Sequence, residues 1–131
     1  MSESAEHQKL VTVVLKQAQN IVGPDKCCFI MSDISDGHEL SPLTAEGFRP
    51  DVFYQYSDVM IIGEAKTADD VERLHSKQQY ESYIKKCALF SGKAYLLIAA
   101  PWSSCASLNN ILSRIKKKYP GNYSIKVLEG F

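Results

Sequence analysis

The stretch RPDVFYQYSDVMIIGEAK, residues 49–66, decides how the rest of the chain is read. Asp51 follows a proline, and Glu64 and Lys66 close the stretch with one residue between them. Residues 51–56, DVFYQY, are dense in aromatics and alternate in part, which reads as a strand. Residues 59–65, VMIIGEA, are apolar enough for a strand at the centre of a sheet. Ser57-Asp58 between them is a tight turn, so the two strands should form an antiparallel hairpin. Side chains 64 and 66 then face one side, with Ala65 turned the other way into the core. The hairpin aims two carboxylates and one ammonium at a single point.

Outward from the hairpin, helical and strand patterns alternate. Residues 5–22 place Leu10, Val11, Val14, Ala18 and Ile21 at the spacing of an amphipathic helix. Ser4 or Ser2 would cap it and Gly23-Pro24 would stop it. Residues 26–34, KCCFIMSDI, read as a first strand, and residues 38–48 as a loop broken by Pro42 and Gly47. After Lys66 comes a polar connector, then a helix over residues 76–90. There Ser76 with Gln79 forms a capping-box pattern, and Gly92 would end the helix. Residues 94–100, AYLLIAA, read as a buried strand stopped by Pro101. Residues 105–119 read as a third helix, and 123–128 as an edge strand. This is an α/β chain, an α+β mixed sheet with helices on both faces, formed as a single domain over residues 1–131. The crossover between its parallel strands should be right-handed.

Composition sets bounds on function. Fifteen basic and fifteen acidic side chains cancel, so the chain lacks the global positive charge of many nucleic-acid binders. Any such binding needs a local patch, a metal ion or an assembly. The polar N-terminus has no signal-peptide pattern and no apolar run spans a membrane, so the expected location is cytoplasmic with no membrane partner. Cys27, Cys28, Cys87 and Cys105 form no zinc-ligand spacing and read as thiols. His7, His38 and His75 are isolated in sequence and suggest no nucleophile–histidine pair.

Two acids and a lysine at one point suit a hard divalent cation beside a phosphate, because magnesium prefers oxygen ligands and keeps waters and phosphate oxygens. An acid inside so apolar a strand also needs a partner or a metal. The order helix, three strands, helix, strand, with Pro50-Asp51 and Glu64-Ala65-Lys66, resembles the PD-(D/E)xK nuclease superfamily. Gln79 and Tyr83, one helical turn apart, match the Q-xxx-Y motif of some of its branches. The run EAKTADD followed by SxxQ is similar to the VRR-NUC and restriction-endonuclease-like branches. The likeness covers roughly residues 5–100 and leaves the last helix and strand as additions to the shared αβββαβ core.

The resemblance implies a metal-dependent DNA endonuclease using Mg²⁺, with Mn²⁺ as a substitute. It implies that Asp51, Glu64 and the Ala65 carbonyl hold the metal, with Glu6 (or Glu3) from the first helix. Lys66 would stabilise developing charge, and Gln79 and Tyr83 would orient groups around it. Arg49 is placed to meet a phosphate. Lys116, Lys117 and Lys118 are a second candidate contact, although lysines at a helix end also serve the helix dipole. The expected partners are duplex or branched DNA and a second copy of the chain, with a partner subunit or fused domain as a further option. The alternative is a binding or interaction module on a nuclease fold with an idle site. Trp102 reads either as core cover or as an interface anchor.

Overall fold

The structure is a computed structural model and describes residues 4–32 and 41–130. Ser2, Glu3, the end of the expected first strand and the start of the following loop lie outside the described residues. Helix α1 spans Ala5–Val22, and the Ser4 hydroxyl caps it by accepting from the His7 amide at 3.1 Å. A 3-10 turn at Cys27–Phe29 stands where the first strand was expected to begin, and among the described residues β1 is Met31–Ser32. Successive three-residue hydrogen bonds, from the Lys26, Phe29 and Ile30 amides, keep this segment coiled beyond Gly23-Pro24.

Strands β2 (Val52–Tyr56) and β3 (Val59–Ala65) form the hairpin, with Ser57 in the turn at a positive φ of 58°. Helix α2 spans Leu74–Leu89 and returns the chain to β4 (Lys93–Ala100), which is parallel to β3. Helix α3 (Cys105–Lys116) leads to β5 (Ser124–Glu129), parallel to β4 at the sheet edge. The result is a mixed α/β fold. A five-stranded mixed sheet in the order β1-β2-β3-β4-β5 packs α1 on one face and α2 and α3 on the other.

The capping box does not form. Helix α2 starts two residues earlier than Ser76, at Leu74, with Arg73 as its N-cap and no side-chain cap bond. Ser76 is buried within the helix. The helix also stops before Gly92, because Phe90 is already extended. Gly92 serves a close approach instead: a Cβ there would lie 2.0 Å from the Asp58 carbonyl oxygen of the hairpin turn.

Strand alternation decides what faces each helix. In β3, Met60 and Ile62 enter the core under α2 and α3, while Ile61 and Ala65 enter the core under α1. Glu64 shares the parity of Met60 and Ile62, so it faces α2. Gly63 has the opposite parity and lets α1 descend onto the sheet. A Cβ at Gly63 would sit 2.3 Å from Val14 Cγ1 and 3.0 Å from Val52 Cβ. Gly63→Ala is therefore expected to destabilise the protein by about 1–3 kcal/mol through overpacking. The urea midpoint measures this, and an unchanged midpoint would refute the close approach.

Candidate functional site

Asp51 lies just before β2, where the pairing of Val52 with Gly63 brings it beside the end of β3. Its backbone amide donates to Glu64 Oε1 at 3.3 Å, and its Oδ2 accepts from the Ala65 amide at 2.9 Å. These reciprocal bonds lock the two carboxylates together across the strand ends. Lys66 continues β3, held by its amide to the Ala99 carbonyl of β4 at 2.9 Å. Its Nζ lies 3.5 Å from Glu64 Oε2 and donates to Gln79 Oε1 of α2. The Tyr83 hydroxyl, one turn along α2 from Gln79, donates to Glu64 Oε1 at 3.1 Å.

Asp51, Glu64 and Lys66 are 8, 5 and 7% exposed, so three charged groups share one water-poor pocket of the fold. Burial pushes the Glu64 carboxyl up to about 8. The Asp51 carboxylate beside it contributes to that rise, which Lys66, the Tyr83 hydroxyl and the Asp51 amide partly oppose. Loss of the tyrosine hydroxyl removes one of the groups that favour the ionised form. Tyr83→Phe is expected to raise the Glu64 titration further and to cost about 0.5–1.5 kcal/mol of stability. A carboxyl-carbon NMR titration reads the first effect. An unmoved Glu64 resonance would show that the hydroxyl does not act on it.

Helix α1 supplies His7 to the cluster. His7 Nε2 lies 3.4 Å from Asp51 Oδ2. The expected contributor from this helix, Glu6, is exposed in the first turn instead. Adjacent helical residues point about 100° apart, so one of the two can face the sheet while the other faces solvent. His7 reads as isolated in sequence; the signal that places it is helical spacing, since it precedes Leu10, Val11 and Val14 on the packed face of α1.

Arg49 is exposed and its guanidinium donates to the Ser41 carbonyl. Lys116, Lys117 and Lys118 are exposed, with Lys116 Nζ 5.3 Å from the centre of the Tyr123 ring. Helix α3 starts beside Ala100 and runs back toward the start of β5, which pairs with Tyr95. The three lysines are thus carried to the end of the sheet opposite Asp51 and Glu64, and the structure does not bring them to the cluster.

The helix beginnings lie at the same end of the sheet as the cluster instead. His7 in the first turn of α1 meets Asp51, the start of α2 lies just before Gln79, and Cys105 Sγ at the start of α3 approaches the Ala100 carbonyl. Three positive dipole ends therefore face one end of a sheet whose chain has no net charge.

The donor set fits a hard cation. Asp51 Oδ2 and Glu64 Oε1 take these fixing bonds; Asp51 keeps Oδ1, whereas Glu64 Oε2 lies 3.5 Å from Lys66 Nζ and would be shared between that ammonium and an ion. Two buried acids of like charge, one of them driven toward its protonated form, are stabilised by an added positive charge. Among the described residues, no further His, Cys, Asp or Glu completes a cluster of three metal ligands with them. The remaining coordination would come from the Ala65 carbonyl, waters and substrate oxygens, the arrangement that magnesium favours. Comparison of the chain with protein-family models, curated proteins and solved structures finds no match. Among the described residues no helix is long and apolar enough to cross a membrane.

Proposed function

We propose that the chain is a metal-dependent nuclease of the PD-(D/E)xK kind, hydrolysing phosphodiester bonds of DNA on a restriction-endonuclease-like core. The observation that carries this reading is the buried cluster of Asp51, Glu64 and Lys66 at the adjoining ends of β2 and β3, fastened to Gln79 and Tyr83 of α2. A cluster made only for stability would not bury two acids against one lysine, because removing such charges from water is costly. The helix dipoles supply a local attraction for a phosphate that the neutral composition does not.

Asp51, Glu64 and the Ala65 carbonyl would hold Mg²⁺ or Mn²⁺. When bound, the ion supplies Lewis acidity and a coordinated water of lowered pKa. The chain's own groups do the rest. Lys66 presents a fixed ammonium to charge developing on the phosphate, in a site where water screens little. Gln79 holds that ammonium by its amide oxygen, so its position does not depend on a flexible stem. Tyr83 and the Asp51 amide hold Glu64 Oε1, and His7 braces Asp51 Oδ2. Two copies of the chain would present two such sites to the two strands of a duplex or a junction.

The test is cleavage of linear, supercoiled and branched DNA with magnesium or manganese, comparing wild type with Asp51→Ala. Metal-dependent cleavage that Asp51→Ala abolishes is the expected result. Equal cleavage by both proteins would remove the site. Absence of cleavage by wild type on every substrate would favour a binding module with an idle site.

A further inference from the structure

We infer that Trp102 is a stacking platform for an unpaired base of the substrate strand, at the same end of the sheet as the proposed cleavage site. This rests on the nuclease reading and narrows its substrate to nucleic acid with an unpaired base near the cleaved bond. Trp102 is the chain's one tryptophan and is 69% exposed, so it does not cover the core. Among the described residues no aromatic ring or cation stacks on it.

Its place in the fold is specific. Trp102 follows β4 after Pro101, three residues beyond Ala99, whose carbonyl holds the Lys66 amide at 2.9 Å. By the strand register Asp51 is level with Ile98, two strands across, and Trp102 lies four residues beyond Ile98, so the two are separated by on the order of 15 Å. That is a distance a substrate strand crosses within a few nucleotides. The platform is also rigid. Pro101 is buried, and Trp102–Ser104 forms a 3-10 turn closed by the Ser104 amide to the Pro101 carbonyl at 2.9 Å. Cys105 Sγ lies 3.4 Å from the same Pro101 oxygen. An indole held out on an anchored turn offers an open face without the entropy cost of ordering a loop.

A base can stack on that face only if its own face is open. Paired bases inside a duplex have both faces covered, whereas a single strand, a flap or a splayed junction offers one. Stacking of this kind tolerates any base, so the platform selects structure and not sequence. The start of α3 lies three residues beyond Trp102, and its dipole favours the adjoining phosphate.

The experiment uses Trp102 emission as its own probe. The full chain is titrated, without divalent cation, with a flapped oligonucleotide and with a hairpin-closed duplex of matching length. Cleavage kinetics with magnesium follow for wild type, Trp102→Phe and Trp102→Ala. The flapped oligonucleotide should quench the emission and the closed duplex should quench it much less. Trp102→Ala should weaken use of the flapped substrate by roughly 10- to 100-fold, with the loss in KM more than in kcat, and Trp102→Phe should recover most of it. Cleavage by wild type with unaltered emission and an unchanged KM in Trp102→Ala would overturn the platform and leave the nuclease reading standing. Equal quenching by both nucleic acids would overturn the preference for unpaired bases. Failure of wild type to cleave any of them would overturn both readings.

Discussion

Replacing Lys66 by methionine is expected to lower kcat for phosphodiester cleavage by roughly 100- to 1,000-fold while the protein still folds. The first half follows from geometry. Lys66 Nζ lies 3.5 Å from Glu64 Oε2 and is held by Gln79, so its charge is fixed before substrate arrives. A preorganised donor of this kind acts mainly on charge that develops during reaction, so the loss falls on kcat and less on KM. The second half follows from Glu64. Removing one member of a buried ion pair is usually severe, because it strands the other charge. Glu64, already pushed up to about 8, can take a proton at neutral pH instead of standing as a lone anion. Methionine fills the volume of the lysine stem. Lys66→Arg should not rescue activity, because a planar fork does not occupy the place of a compact ammonium held by one amide oxygen. Circular dichroism checks the fold and single-turnover cleavage checks the rate. A well-folded Lys66→Met protein that cleaves at the wild-type rate would remove Lys66 from the reaction.

The hairpin and α1 were legible in the sequence because each rests on local signals. Alternation, the Ser57-Asp58 turn and the Gly23-Pro24 stop all act within a few residues. The pairing of Asp51 with Glu64 was legible for the same reason, since a short turn fixes the register of both strands. Local reading failed where distant contacts decided the outcome. Ser76 and Gln79 match a capping box, but Gln79 is occupied by Lys66 across the fold and the helix begins earlier, at Leu74. Residues 26–34 are rich in strand formers, yet the turn after Gly23-Pro24 propagates through Cys27–Phe29 and delays the start of the strand to Met31. His7 reads as isolated in sequence because its partner, Asp51, lies in another element. Trp102 was undecided between core and interface because burial after a strand end depends on what packs above it, and here its side chain is left open.

The stability of the cation-free protein is expected to fall as pH rises from about 5 to about 8.5, and Glu64→Gln is expected to flatten that fall. Burial and Asp51 raise the Glu64 carboxyl from its ordinary 4.5 to about 8. Between those values the folded chain binds more protons than the unfolded chain, so unfolding releases them and is favoured by higher pH. The stabilising contribution is complete below about 4.5 and is lost as pH rises through about 8. At about 1.4 kcal/mol per pKa unit, the loss has a ceiling of a few kcal/mol. Glutamine cannot ionise, so its variant lacks this slope and should be the more stable protein at pH 8.5 without divalent cation. Other titrating groups are common to both proteins and largely cancel in the comparison. Magnesium should reverse the order. A cation bound by Asp51 and Glu64 needs Glu64 ionised, so its apparent affinity should climb with pH and level off above about 8. Saturating magnesium should then raise the wild-type unfolding temperature at pH 8.5 by several degrees, and that of Glu64→Gln much less. Thermal unfolding of both proteins at pH 5 and 8.5, with and without magnesium, measures all four corners. Parallel pH profiles would show that Glu64 ionises freely in the fold. A magnesium shift of equal size in both proteins would place the cation elsewhere.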